Sequence, residues 1–250
     1  MELAYKGTGY FGWQVQENAI TVQQVIEDAL KVYLRQSVSI TGAGRTDTGV
    51  HASYFVAHFD VNPDNKPEEY AFVKSINAIL PGDIAVYSLQ HVKNDAHARF
   101  HATSRTYKYF ILTRKDPFKK DVSYRIFKDL DIDLMNECAQ ELLKIRDFSS
   151  FAKANSQTKT NVCKVFDINW NYNQNEYVFT VTADRFLRNM VRAIVGTMLE
   201  LGNNKITKNQ FLDIIDKKDR SLAGASVPAQ GLFLTDISYP THVFKKYKNK

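Results

Sequence analysis

The chain has 250 residues, 44% of them hydrophobic, enough for one large domain or two medium ones with a substantial core. Thirty-three Lys and Arg against 27 Asp and Glu leave a charge of +6, a modest excess that suits a polyanionic partner without requiring one. Cys138 and Cys163 are too few for a zinc framework or a disulfide-stapled fold, no run reaches the roughly 18 apolar residues of a membrane span, and no leader pattern opens the chain, so a cytoplasmic protein with buried thiols is expected.

In chain order, residues 1–5 suit a short strand before a Lys6-Gly7 bend. The clearest helical periodicity spans residues 21–36, where Val22, Val25, Ile26, Ala29, Leu30, Tyr33 and Leu34 share a face and Thr21 is placed to cap it. A strand is expected at 37–41, then a Gly-rich turn, then an alternating strand at 54–59. Pro67 suits the first turn of a helix over 67–80, which Pro81-Gly82-Asp83 stops. Strand patterns follow at 84–92 and 103–113, then a charged loop over 114–120.

The second half repeats the theme loosely. It predicts a helix at 133–145, strands at 162–172 and 177–182 joined by a turn, and a helix at 186–201 closed by Gly202. A short helix after Thr207, a strand at 231–239 and a frayed Lys-rich tail at 245–250 complete the chain. Strands in twos between helices imply α+β sheets with helices on one face, in two halves meeting near residue 100: 1–101 and 102–250.

Three constellations invite a chemical reading. Gly7-Thr8-Gly9-Tyr10-Phe11-Gly12 spells G-x-G-x-x-G, but the helix begins only at residue 21 and the following strand ends without the acidic residue that holds a ribose, so a dinucleotide site is rejected. What remains is a glycine-rich bend that either packs on the core or touches RNA. His97 and His101 have the i, i+4 spacing of a metal pair but no third ligand in a recognisable pattern, and no metal is expected. The densest pattern is GAGRTDTGVHA at 42–52, whose three glycines allow close backbone approach around Arg45, Thr46 and Asp47. It lacks a Walker lysine, and on turn chemistry alone Asp47 reads either as an Asx-turn residue or as a catalyst.

That segment resembles the active-site motif of the tRNA pseudouridine synthase A family. Further blocks follow in the family's order: YKGTGYFGWQ, TVQQVIEDAL, NAILPGDIAV, HARFHATSRTYKY, DFSSF, FLRNMVRAIVG and PAQGLFL, together covering nearly the whole chain. The resemblance implies two ferredoxin-like (RRM-like) halves flanking a central basic cleft, and a homodimer with tRNA lying across both subunits. It implies conversion of uridine to pseudouridine at positions 38 to 40 of the anticodon stem-loop, without cofactor or metal. By motif position the nucleophile falls on Asp47, its preceding arginine on Arg45, the active-site tyrosine on Tyr107 and the arginine that pairs with the aspartate on Arg192. The first strand carries fewer residues than the family usually has, which leaves its pairing open.

These residue types suit the reaction. The N1–C1′ bond breaks, uracil turns and rejoins through C5, and no redox step occurs. One ionised carboxylate either adds covalently or stabilises and deprotonates a sugar-derived intermediate; sequence does not choose between the routes. Glycosidases use two carboxylates and a water, whereas here water must stay out. A cation beside Asp47 keeps it charged in a dry site, and Arg192 lies on the helix side of Val195 and Leu199. Without the resemblance, Arg192 reads first as a snorkelling residue on a half-buried face.

Tyr107 shares a strand face with Tyr109, and motif position selects the former to stack on uracil and pass a proton. Arg45 is placed to fill the gap left by an everted base while touching phosphate, and Arg105, Lys108 and Arg188 are candidates for RNA backbone contacts. The alternatives are a non-catalytic RNA-binding module and a pseudouridine synthase with other RNA target positions.

Overall fold

The computed structural model describes residues 1–62, 66–153 and 159–244. The chain is a mixed α+β protein in two compact units: Met1–Thr103 together with the C-terminal segment from Leu234, and Ser104–Phe233. The C-terminal segment therefore groups with the N-terminal unit, whereas the expected division at 101/102 placed it in the second half. The expected tail at 245–250 lies outside the described residues.

In the first unit, β1 (Glu2–Tyr5) lies between β3 (His51–His58) and β4 (Ile84–Ser88), antiparallel to both, with Leu3 opposite Phe55 and Val86. The short first strand is thus an interior strand, and Leu3 and Tyr5 are buried by its alternation. On its other side β3 neighbours β9 (Leu232–Ser238). The helices α1 (Val22–Leu34) and α2 (Glu69–Ile79) pack on one another, and their apolar stripes supply Val22, Ile26, Leu30, Phe72 and Ile76 to the core.

Two boundaries differ from expectation for identifiable reasons. Thr21 caps α1 as expected, accepting from the Gln24 N–H. Residues 37–40, however, form no strand. Ile40 gives its N–H to Glu27 at 2.9 Å and its carbonyl accepts from Gln23 at 3.1 Å, so helix side chains occupy the groups a ladder would use. Only β2 (Thr41–Gly42) pairs, with Ala57 and His58. In α2 Pro67 stands outside the helix, and Glu68 is the cap, its carboxylate accepting from the Tyr70 and Ala71 N–H groups.

The second unit places β8 (Glu176–Ala183) between β5 (Ser104–Leu112) and β7 (Val165–Asn173), antiparallel to both. The β7–β8 turn puts Gln174 and Asn175 at φ 46° and 67°, the left-handed pair that a two-residue hairpin requires. A short β6 (Tyr124–Arg125), not foreseen from sequence, runs parallel to the end of β5.

Helix α3 (Ile132–Lys144) packs on β7 and touches α4 (Met190–Gly202) and α5 (Lys208–Lys217). Thr207 and Gln210 form a reciprocal capping box for α5. The expected start of α4 at 186 moves to Met190 because Asn189 adopts φ 66°, which no helix interior accommodates. Cys138 and Cys163 are both buried, and burial pushes the Cys163 thiol up to about 12, out of reach of thiolate chemistry.

Candidate active site

The 42–52 motif is the connection from β2 into β3, and its conformation is dictated from beneath. The Ala43 N–H donates to the Val56 carbonyl at 2.8 Å, and the Val50 N–H closes a turn on the Asp47 carbonyl at 3.1 Å. Gly49, at φ 78°, supplies the left-handed residue and gives its N–H to the Tyr10 carbonyl. Beside Asp47, Thr46 is buried, its hydroxyl bonded to the Tyr5 hydroxyl at 2.9 Å and its carbonyl accepting from the Trp13 N–H at 3.2 Å.

The glycine-rich segment before α1 forms the cradle for this loop. Gly12 has φ 88°, and a Cβ there would lie 2.4 Å from the Thr46 carbonyl oxygen and 3.2 Å from the Asp47 carbonyl carbon. A Cβ on Gly7 would fall 2.0 Å from the Val50 carbonyl oxygen. His51, fully buried, accepts the Gly7 N–H on Nδ1 at 3.0 Å, which leaves its proton on Nε2. Of the two uses left open for this bend, packing beneath the Asp47 loop accounts for Gly7, Tyr10, Gly12 and Trp13. His51 lies inside the motif, but its role becomes visible only through Gly7, forty-four residues away. The Asp47 side chain is left half-buried and that of Arg45 exposed.

The second unit carries the other candidates. Tyr107 on β5 lies opposite Val181, and its ring meets Phe186 edge-on at 4.9 Å. Tyr109 is fully buried and donates its hydroxyl to the Pro228 carbonyl at 2.7 Å. Burial pushes that hydroxyl far above the usual tyrosine range, with the Arg192 charge opposing the rise.

Arg192 is half-buried on α4 and doubly tied to Val227: Nε donates to the Val227 carbonyl at 2.7 Å, and the Val227 N–H donates to the Arg192 carbonyl at 3.2 Å. This close approach depends on Gly196, where a Cβ would lie 1.8 Å from the Ala225 carbonyl oxygen. Arg105 opens β5 and donates Nη1 to the Asp184 carbonyl at 2.8 Å, Lys108 is half-buried opposite Thr180, and Arg188 is exposed just before α4. The structure thus sets Asp47 and Arg45 in one unit and Tyr107, Arg105, Lys108, Arg188 and Arg192 in the other.

Two cavities open in the first unit. The larger, about 580 Å³, is lined by Met1, Tyr54, His58, His97, Tyr239 and Phe244 among others and includes neither Asp47 nor Arg45. The smaller, about 260 Å³, takes Arg45, Arg99, Gln14 and Gly44 into its wall. His97 and His101 close a backbone turn: His101 Nδ1 accepts the His97 N–H at 3.1 Å, and His97 Nδ1 accepts the Arg99 N–H at 3.1 Å. Among the described residues no group of three metal-ligating side chains gathers, and no helix is long and apolar enough to cross a membrane.

Comparison with known proteins supplies the frame for this geometry. The family described as tRNA pseudouridine synthase matches residues 3–101 and 138–240. A tRNA pseudouridine synthase A of Bacteroides thetaiotaomicron is 47% identical across 99% of this chain and 93% of its own length. One of Azobacteroides pseudotrichonymphae is 49% identical across 97% of each chain, and one of Clostridium acetobutylicum is 38% identical across 96% of this chain and 98% of its own. Matches of that extent and identity, on a chain whose Asp47 loop is clamped in place, show that the chain belongs to the tRNA pseudouridine synthase family.

Proposed function

We propose that Asp47 is the catalytic carboxylate with which this enzyme converts uridine to pseudouridine at positions 38 to 40 of the tRNA anticodon stem-loop. The observation that carries the assignment is the way the peptide around Asp47 is held at Tyr5, Gly7, Tyr10, Gly12 and Trp13 while its side chain stays half-open. A carboxylate presented by a loop held in this way needs no reorganisation when charge develops on the sugar.

In this reading Asp47 acts at the ribose, either adding at C1′ or removing a sugar proton, as the N1–C1′ bond breaks. Uracil leaves with the bonding electrons, turns, and forms the C5–C1′ bond; the C5 proton is lost and N1 regains one. The product is an isomer of the substrate, so the chemistry calls for no cofactor. By motif position Arg192 is the charge partner that the family resemblance gives Asp47, and Tyr107 stacks on the base and passes a proton. Arg45 fills the space of the everted nucleotide, with Arg105, Lys108 and Arg188 on the RNA backbone.

Each unit combines antiparallel strands with helices, which supports two ferredoxin-like halves; the basic cleft is what the family resemblance implies. The family further supports a cytoplasmic homodimer with tRNA across both subunits. Incubation with unmodified tRNA transcripts, followed by mapping of pseudouridine, tests the target assignment. Product confined to positions 38 to 40 is expected; product elsewhere would overturn the assignment of the target, and no product would overturn the activity.

A further inference from the structure

Arg45 shares its cavity with a second arginine. The wall is made by Arg45, Arg99, Gln14, Gln23, Ile40 and Thr41 with Gly42, Gly44 and Trp13, and among the described residues no carboxylate lines it. Two separate stretches of backbone present the cations. Arg45 follows Gly44 in the Asp47 loop, while Arg99 sits on the histidine turn. That turn is firmly seated. The Ala98 N–H donates to His58 Nδ1 at 3.1 Å, the His101 N–H to the His97 carbonyl at 3.0 Å, and the Tyr239 hydroxyl to the Ala98 carbonyl at 2.6 Å.

Both arginine side chains are exposed, and a Cβ built on Gly44 would meet nothing within 4 Å, so the space beside them is open. The Arg99 guanidinium carbon lies 5.6 Å from the centre of the Phe100 ring, and Gln23 is held by Gln14, the Val15 N–H, Glu27 and the Ile40 carbonyl. An open polar cavity with two arginines among its lining residues suits a phosphodiester, whose oxygens match the planar donor fork of a guanidinium.

We propose that this cavity is a phosphate-binding subsite for RNA, in which Arg99 is a positioning residue that grips, with Arg45, a backbone phosphate at or beside the target uridine. The inference rests on the assignment of Asp47, since Arg45 precedes it by two residues and a phosphate held here belongs to the nucleotide being turned out or to its neighbour. Anchoring that phosphate holds the sugar still while the base leaves its stack, a step that costs unstacking energy.

The test compares wild type with Arg99→Gln, Arg99→Lys and Gly44→Asp, measuring tRNA affinity against salt, the single-turnover rate at saturating enzyme, and melting. Arg99→Gln is expected to weaken tRNA binding about ten- to a hundredfold and to flatten the log–log salt dependence by about one contact, with the saturated rate changing far less than the affinity. Arg99→Lys keeps the charge and hence the slope, while losing part of the affinity. Gly44→Asp puts a carboxylate into open space without touching the fold, so it weakens binding with an unchanged melting temperature.

Wild-type affinity and slope in either Arg99→Gln or Gly44→Asp would overturn the subsite. Displacement of tRNA by micromolar uridine 5′-monophosphate would mark a free-nucleotide site and overturn it equally. A wild-type protein that binds tRNA but makes no pseudouridine sinks the Asp47 assignment, whereas an active wild type beside an unaffected Arg99→Gln sinks the subsite alone.

Discussion

Tyr107 and Tyr109 stand two apart on β5 and face the same way, yet their surroundings separate them. Tyr109 is sealed into the core with its hydroxyl spent on the Pro228 carbonyl, while Tyr107 is half-buried with its ring against Phe186. Tyr109→Phe is therefore expected to lose about 0.5–1.5 kcal/mol of stability, because the buried ring gives up its hydrogen bond to the Pro228 carbonyl, with little change in rate. Tyr107→Phe should melt like wild type and turn over roughly a hundredfold more slowly. Thermal melting and single-turnover product formation distinguish the two, and the opposite pattern would move the chemical role to Tyr109. Strand alternation in the sequence places both rings on one face. Their difference comes from Pro228, 119 residues away, which no local pattern registers.

Among the elements, helix α1, its cap and the hairpin turn at Gln174 and Asn175 are legible because their causes are local. The missing strand at 37–40 and the late start of α4 are not, since each depends on a particular side-chain contact or on one left-handed residue. The glycine-rich bend reads in sequence as a bend, but what it carries becomes clear only when it meets the Asp47 loop. Gly12→Ala tests that coupling. At φ 88° and 2.4 Å from the Thr46 carbonyl oxygen, an added methyl group strains the bend and pushes on the Asp47 loop, at a cost of roughly 1–3 kcal/mol for the backbone alone. Activity should fall further than stability. Gly9→Ala, with nothing within 4 Å of the new Cβ, should leave both near wild type. Equal effects in the two variants, measured by melting and by pseudouridine formation, would contradict the cradle.

At the scale of the whole molecule, the sequence places a division near residue 101, and the first unit takes Met1–Thr103. The return of the C-terminal segment from Leu234 to that unit is not legible, because an alternating strand pattern names a buried face but not the sheet it joins. The candidate site divides in the same way. The Asp47 motif is contiguous and dense with glycine, so its residues announce themselves, whereas Arg192 looks like any amphipathic helix residue until its contacts with Val227 are seen.

Release of tritium from tRNA labelled at uracil C5 registers the loss of the C5 proton that accompanies the new carbon–carbon bond. Wild type should release it in step with pseudouridine formation, and Asp47→Asn should bind the same tRNA yet release none above background. Release at the wild-type rate by Asp47→Asn, or none by the wild type, would contradict the role given to Asp47.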